Sequence, residues 1–137
     1  MYSPVQFTGE IIKINVDTSA FERVTSGLTS PIAAKFNSKG ELFALDTATG
    51  QVVKVDLTTG QTRAIAQLQP RLDNLAFRPT DLLYASNFVD SDINEVNTQT
   101  GSVRKVVESG GLTAPGGIAV KGNSLYVADT NSRAGFG

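Results

Sequence analysis

An internal repeat of about 41 residues is the feature that most constrains how this chain folds. The segment 52–60 recurs as 93–101, and residues 12–15 match 53–56 at the same spacing. A repeat of this length indicates a supersecondary unit that buries its apolar face against the next copy. We therefore expect an architecture of successive, similar units.

Each complete unit predicts four short strands separated by turns. In the first complete unit the predicted strands are 32–36, 41–46, 51–57 and 61–66. Their β-branched and aromatic residues, bounded by turn residues, favour strands over helices. Asp56 and Gly60 predict a tight hairpin, in which the aspartate caps the turn and the glycine takes the left-handed conformation. Ser19 replaces this glycine in the earliest copy, so we expect a looser hairpin there.

A four-stranded unit repeating at this length is typical of a β-propeller blade. The last copy reads Ala-Pro-Gly-Gly-Ile-Ala-Val at 114–120 and continues through 122–130. It resembles a blade of the NHL-repeat proteins and is equally similar to blades of the senescence-marker-protein/gluconolactonase superfamily. Residues 72–77 with 83–88 are similar to the same pattern. The resemblance implies an all-β propeller, and these families commonly have six blades.

The predicted strands fill half of such a ring, which makes residues 1–137 one domain. Its predicted parts are an outer hairpin of a shared blade (7–26), two complete blades (31–66 and 72–108), an inner hairpin of a shared blade (115–129) and a tail (130–137). We expect a homodimer to close the ring, with the inner hairpin of one copy pairing with the outer hairpin of the other. The alternative is a truncated piece of a longer propeller, which the tail favours.

Composition excludes several classes of function. The 137 residues include no cysteine and no histidine, which excludes disulfides, zinc–thiolate sites and Ser-His relays. A net charge of −1 does not suit a nucleic-acid partner. The sequence has no apolar run of membrane-spanning length and no recognisable signal peptide, so we expect no membrane partner and a cytoplasmic location.

The predicted binding site lies at the mouth of the central channel. The loops that enter the innermost strands and leave the second strands carry oxygen-rich side chains: Asp46, Asp73, Asn74, Asn87 and Asp129. Such oxygens suit a polar ligand or a divalent cation such as calcium. Asp46, Asn87 and Asp129 recur at equivalent positions, which favours the capping of turns by their side chains.

Asp73 and Asn74 are the stronger candidates for binding a ligand or a metal. The other copies carry Pro31-Ile32 and Gly116-Gly117 in that place, so the pair is unique within the repeat. The gluconolactonase-like resemblance implies a metal held by a Glu, an Asn and an Asp. Asn74 matches the asparagine of that pattern, but Leu75 replaces the glycine that should follow, and the early glutamate is absent.

No complete catalytic set can be assembled from these residues. The sequence therefore favours a propeller scaffold that binds a small polar ligand or a protein, and we do not expect an enzyme. Two alternatives stay open: a metal-dependent, lactonase-like hydrolase at the channel mouth, and a remnant of a longer propeller without a function of its own.

Overall fold

The computed structural model describes residues 1–108 and 111–129, and its regular secondary structure consists of β-strands. The strands of the first sheet are β1 (Tyr2–Val5), β2 (Glu10–Ile14) and β3 (Phe21–Thr25). Those of the second are β4 (Pro31–Phe36), β5 (Leu42–Asp46), β6 (Gln51–Val55) and β7 (Thr62–Gln67). The third has β8 (Leu72–Phe77), β9 (Leu82–Asn87), β10 (Asp92–Asn97) and β11 (Val103–Val107), and the fourth has β12 (Pro115–Lys121) and β13 (Ser124–Asp129). The all-β prediction is confirmed. Within the described ranges there is no helix long and apolar enough to span a membrane.

Strands that follow one another in the chain pair antiparallel within each sheet. The second and third sheets are the two complete four-stranded units. The pairing registers repeat as well: Phe43 lies opposite Lys54 in the second sheet, and Tyr84 lies opposite Glu95 in the third, 41 residues later. The structural repeat therefore follows the sequence repeat.

The first sheet contains one strand more than the outer hairpin expected at 7–26. Strand β1 pairs with β2, and Tyr2 lies opposite Lys13, as Phe43 lies opposite Lys54 one repeat later. Strand β1 therefore occupies the second position of its unit. Pro4 makes this segment a poor candidate strand by sequence, but proline is tolerated on an edge strand, and β1 is the edge of its sheet.

Apolar side chains pack between successive sheets and hold them in chain order. The cluster between the first and second sheets includes Ile11 and Val53. Between the second and third sheets the rings of Phe43 and Phe77 lie 5.4 Å apart, centroid to centroid. Ile118 packs with residues of the third sheet in the last cluster. Each sheet thus buries a face against its neighbour, which is the arrangement of propeller blades.

The innermost strands β4, β8 and β12 lie side by side. Each begins with a β-bulge: between Pro31 and Ala33, between Leu72 and Leu75, and after Pro115. A bulge redirects the side chains of the strand that carries it. We call the end of the molecule where these strands begin the mouth; it comprises the loops before β4 and β8 and the loops after β1, β5 and β9.

The hairpin between β2 and β3 is not looser than its later copies. Ser19 has a φ of 64°, and Gly60, at the same repeat position, has a φ of 77°. The Ser19 N–H donates to the carbonyl of Asn15 at 2.8 Å, just as Gly60 donates to Asp56 at 2.8 Å. The serine accepts the left-handed conformation, and the turn closes in the same way.

Candidate functional site

A cavity of about 520 Å³ lies at the mouth and is lined by the first, second and third sheets. Its walls are the loops that follow β1, β5 and β9 and the segments that enter β4 and β8. A volume of this size lies within the usual range for small-molecule sites. The cavity forms only because three consecutive units meet.

The cavity is lined by the same few positions of successive repeats, and these positions carry different residues. One position supplies Gln6, Thr47 and Phe88, a second supplies Ser30 and Arg71, and a third supplies Ile32 and Asp73. The strand registers thus match Asp73 to Ile32, which corrects the expected match to Pro31. Some buried strand positions of the same units keep their residue type, as Leu42 and Leu83 do, and others change it, as Leu45 and Ser86 do. Residues have therefore diverged between repeats both around the cavity and in the core.

Among the residues that the structure describes, Asp73 is the only carboxylate lining this cavity. It lies in the bulge of β8 and is half-buried. Within residues 1–108 and 111–129 its carboxylate has no hydrogen-bond or ion-pair partner. A half-buried charge without a protein partner is available to a ligand.

Asn74 is adjacent in sequence but lies in a different environment. Its side-chain oxygen accepts the backbone N–H of Leu75 at 2.8 Å, and the backbone N–H of Asn74 donates to Ser86 Oγ at 3.2 Å. The Ser86 hydroxyl in turn donates to the carbonyl of Gly116 in the fourth sheet at 2.7 Å. Asn74 therefore belongs to the junction of the third and fourth sheets, and the bulge separates it from Asp73.

The buried carboxylate of Asp46 ties two loops of the mouth together. Its Oδ2 accepts the N–H groups of Thr29 and Ser30 at 2.8 and 3.1 Å. Its Oδ1 accepts those of Ala48 and Thr49 at 3.1 and 3.2 Å. Four backbone donors saturate this carboxylate, so its role is to cap the loops.

Asn87 and Asp129 hold loops of the third and fourth sheets in the same way. Asn87 Oδ1 accepts the N–H groups of Val89 and Asp90 at 3.0 and 2.9 Å. Its Nδ2 donates to the carbonyl of Pro70 at 2.8 Å. Asp129 accepts the N–H groups that precede β12, with distances of 2.9 and 2.6 Å. None of these side chains lines the cavity.

The residues present do not fit a calcium site at Asp73 and Asn74. Calcium takes six to eight oxygen ligands, commonly from several carboxylates. In the described part of the chain no three acidic, histidine or cysteine side chains come close enough to hold a metal ion. Asn74 also uses its side-chain oxygen on its own loop.

Arg71 lines the cavity and was not predicted from the sequence. Its backbone is left-handed, with a φ of 82°. Its N–H donates to the carbonyl of Thr47 at 2.7 Å, and its carbonyl accepts the N–H of Phe88 at 3.2 Å. Its guanidinium has no protein partner among the described residues. The available signal was its mismatch with Ser30, its counterpart one repeat earlier.

Comparison with solved structures identifies the fold. The chain is similar to virginiamycin B lyase from Staphylococcus aureus, with a TM-score of 0.76 and 14% identity over 93% of this chain and 44% of that one. It is similar to a chain of a nidogen/laminin complex, with a TM-score of 0.79 and 16% identity over 95% and 52%. It is also similar to an auxiliary nutrient-binding protein from Bacteroides ovatus, with a TM-score of 0.75 and 12% identity over 96% and 33%.

The chain thus spans about half or less of the length of these solved structures. No protein-family model matches its sequence, and no curated protein matches it. Identities of 12–16% carry information about the fold alone. The neighbours are β-propeller proteins, and the described residues form part of a β-propeller.

Proposed function

We propose that this chain is the ligand-binding part of a β-propeller, and that a small polar molecule binds in the cavity at the mouth. One observation carries the proposal: two residues that line the cavity, Arg71 and Asp73, present charges without a protein partner among the described residues. Ligand sites combine a concave surface with a few convergent polar groups.

The composition of the cavity favours binding over catalysis. General acid–base chemistry needs a group whose proton exchanges near neutral pH, most often histidine, or a second carboxylate. The described part of the cavity supplies one carboxylate, Asp73, and the sequence contains no histidine. One similar structure is a virginiamycin B lyase variant made inactive by replacing a histidine with alanine. The present sequence has no counterpart of that residue, so lyase activity is not proposed.

The similar structures support a binding role. One is a nutrient-binding protein, one is a complex of nidogen with laminin, and one is a lyase with quinupristin. These activities belong to those proteins. Their common element is a propeller that holds a partner, and a small ligand suits the cavity of about 520 Å³ at this mouth.

A thermal-shift screen against representatives of several small-molecule classes tests the proposal. The panel contains amino acids, carboxylates, amines and sugars, and the proteins are the unmodified chain, Asp73→Asn and the matched control Asp17→Asn, which removes an exposed aspartate from the β2–β3 turn. We expect at least one class to raise the Tm of the unmodified chain and of the control, but not that of Asp73→Asn. No stabilisation by any class, or equal stabilisation of Asp73→Asn, would overturn the proposal.

We further propose that a second copy of the chain can complete the ring. Among the described strands, β13 pairs with β12 along one edge only, and Tyr126 on β13 is 60% exposed. In a complete unit the second strand pairs with the third, and β13 and β2 hold these two positions. Because β1 already pairs with β2, strand β13 of a second copy can pair with β2 only if it replaces β1. Dimer closure therefore requires β1 to leave its sheet.

A further inference from the structure

Arg71 has a left-handed backbone and follows Pro70, and a proline followed by a residue with a φ near +80° is the pattern of a type II turn. Three non-glycine residues of the described chain have a positive φ: Ser19, Arg71 and Ser91. Ser19 and Ser91 stand where other repeats have glycine, so the scaffold itself demands that conformation there. Arg71 corresponds to Ser30, whose φ is not positive. Strained residues of this kind persist where the surroundings hold them in place, and they concentrate at functional sites.

Two loops form hydrogen bonds with the backbone of Arg71. The loop after β5 accepts its N–H through the carbonyl of Thr47, and the loop after β9 donates to its carbonyl from Phe88. Asn87 binds the carbonyl of the preceding residue, Pro70, at 2.8 Å. The peptide groups around Arg71 are therefore fixed by both neighbouring loops. The side chain of Arg71 is therefore attached to a backbone that hydrogen bonds hold in place at the cavity wall.

Two opposite charges line the cavity and do not form an ion pair with each other. Arg71 and Asp73 are two residues apart and line the same cavity, yet no ion pair joins them. The nearby carboxylate of Asp46 is taken up by four backbone N–H groups. The cation and the anion are thus both available to a ligand.

The chemistry of these groups defines a complementary ligand. A guanidinium binds a carboxylate through two parallel hydrogen bonds, and a carboxylate binds an ammonium group. Ile32 and Phe88, which is 38% exposed, add apolar surface to the same cavity. A molecule with a carboxylate and an ammonium on neighbouring atoms and an apolar side chain would match all of these features.

We propose that the mouth binds a zwitterion of the amino-acid class with an apolar side chain. Arg71 would hold the ligand carboxylate, Asp73 its ammonium group, and Ile32 and Phe88 its side chain. This inference rests on the proposed function and specifies its ligand. The left-handed backbone of Arg71 then serves to aim the guanidinium.

Isothermal titration calorimetry with three related probes tests the assignment. L-Phenylalanine carries both charges, 3-phenylpropionate lacks the ammonium group, and 2-phenylethylamine lacks the carboxylate. We expect L-phenylalanine to bind at least tenfold more tightly than either analogue, since each analogue leaves one charge of the cavity without a partner.

Three variants separate the site from a general effect on folding. Arg71→Gly removes the side chain but suits the positive φ, so it should fold at least as well as the unmodified chain. Asp73→Asn removes the opposite charge. Both should weaken L-phenylalanine binding at least tenfold. Arg63→Ala, which removes an exposed arginine on β7, should leave the affinity unchanged.

The outcomes distinguish this inference from the proposed function. If either single-charge analogue binds as tightly as L-phenylalanine, or if Arg71→Gly binds it normally, the zwitterion assignment is wrong. If a different class binds and Asp73→Asn abolishes that binding, the ligand-binding function stands and the zwitterion assignment fails. If no class in the panel binds, both proposals fail.

Discussion

Ser91 stands one repeat after Gly50 and shares its left-handed backbone, with a φ of 58° against 79°. A serine in this region is strained, whereas glycine adopts it freely. Both Ser91→Gly and Ser91→Ala remove the hydrogen bond from Ser91 Oγ to the carbonyl of Thr113, but only the alanine keeps the strained φ. Ser91→Gly should therefore have a free energy of unfolding about 1 kcal/mol higher than that of Ser91→Ala. Urea denaturation followed by circular dichroism measures the difference. A lower stability of Ser91→Gly than of Ser91→Ala would contradict the assignment of the strain to this position.

The reverse substitution at the equivalent position should be costly. A Cβ at Gly50 would overlap the carbonyl oxygen of Leu68 and would meet the unfavourable φ as well. Gly50→Ala should lower the free energy of unfolding by about 2 kcal/mol or more. Gly40→Ala is the matched control, because Gly40 also has a positive φ but has open space around its Cβ position. Equal losses in the two variants would show that the close approach to Leu68 does not matter.

Asp46 should contribute to stability through its four backbone partners. Asp46→Ala leaves the amides of two loops without acceptors in a buried place, and we expect a loss of about 2–4 kcal/mol. Asp56→Ala, at an exposed turn where the carboxylate accepts two N–H groups, should lose less. Thermal and urea unfolding compare the two. A smaller loss at Asp46 than at Asp56 would contradict the capping role.

Glu41 should make stability depend on acid pH. Hydrogen bonds from the Lys54 ammonium and then the Asn37 amide hold the pKa of Glu41 below its ordinary value of about 4.5. A carboxyl whose folded pKa is lowered stabilises the fold fully above its unfolded pKa and loses that contribution as pH falls through the folded pKa. Stability should therefore fall from about pH 4.5 downwards. Glu41→Gln should lessen this fall, and an unchanged acid profile would contradict the ion pair's role.

Removal of β1 should favour association. A variant that lacks residues 1–6 frees the edge of β2 for strand β13 of a second copy. Sedimentation velocity should then show a larger dimer fraction than the full 137-residue chain shows. Circular dichroism provides the control that the variant retains its β structure. A folded variant that stays monomeric at every concentration would refute closure by a second copy.

The sequence contained more information about the scaffold than about the site. Repeat-matched apolar residues such as Val55 and Val96, within the segments 52–60 and 93–101, predicted the units, because both are buried between sheets. Strand β1 was missed because Pro4 and the short segment around it give a weak strand pattern, which pairing with β2 overrides.

The candidate site was predicted in part. Asp73 was predicted because it is unique within the repeat. The sequence could not show that the bulge of β8 places the neighbouring residue, Asn74, outside the cavity. Arg71 carries no motif, and it lines one cavity with Gln6, Thr47 and Phe88 only when the units are assembled. Local sequence patterns therefore do not reveal its place in the site.

Titration of the isotopically labelled chain with L-phenylalanine, followed by backbone amide NMR, tests the central claim most directly. We predict saturable shifts concentrated at the amides of the mouth, namely those of residues 30, 32, 47, 71, 73 and 88. Shifts centred instead on the cavity beside Glu41 and Lys54, or no saturable shifts at all, would contradict the account.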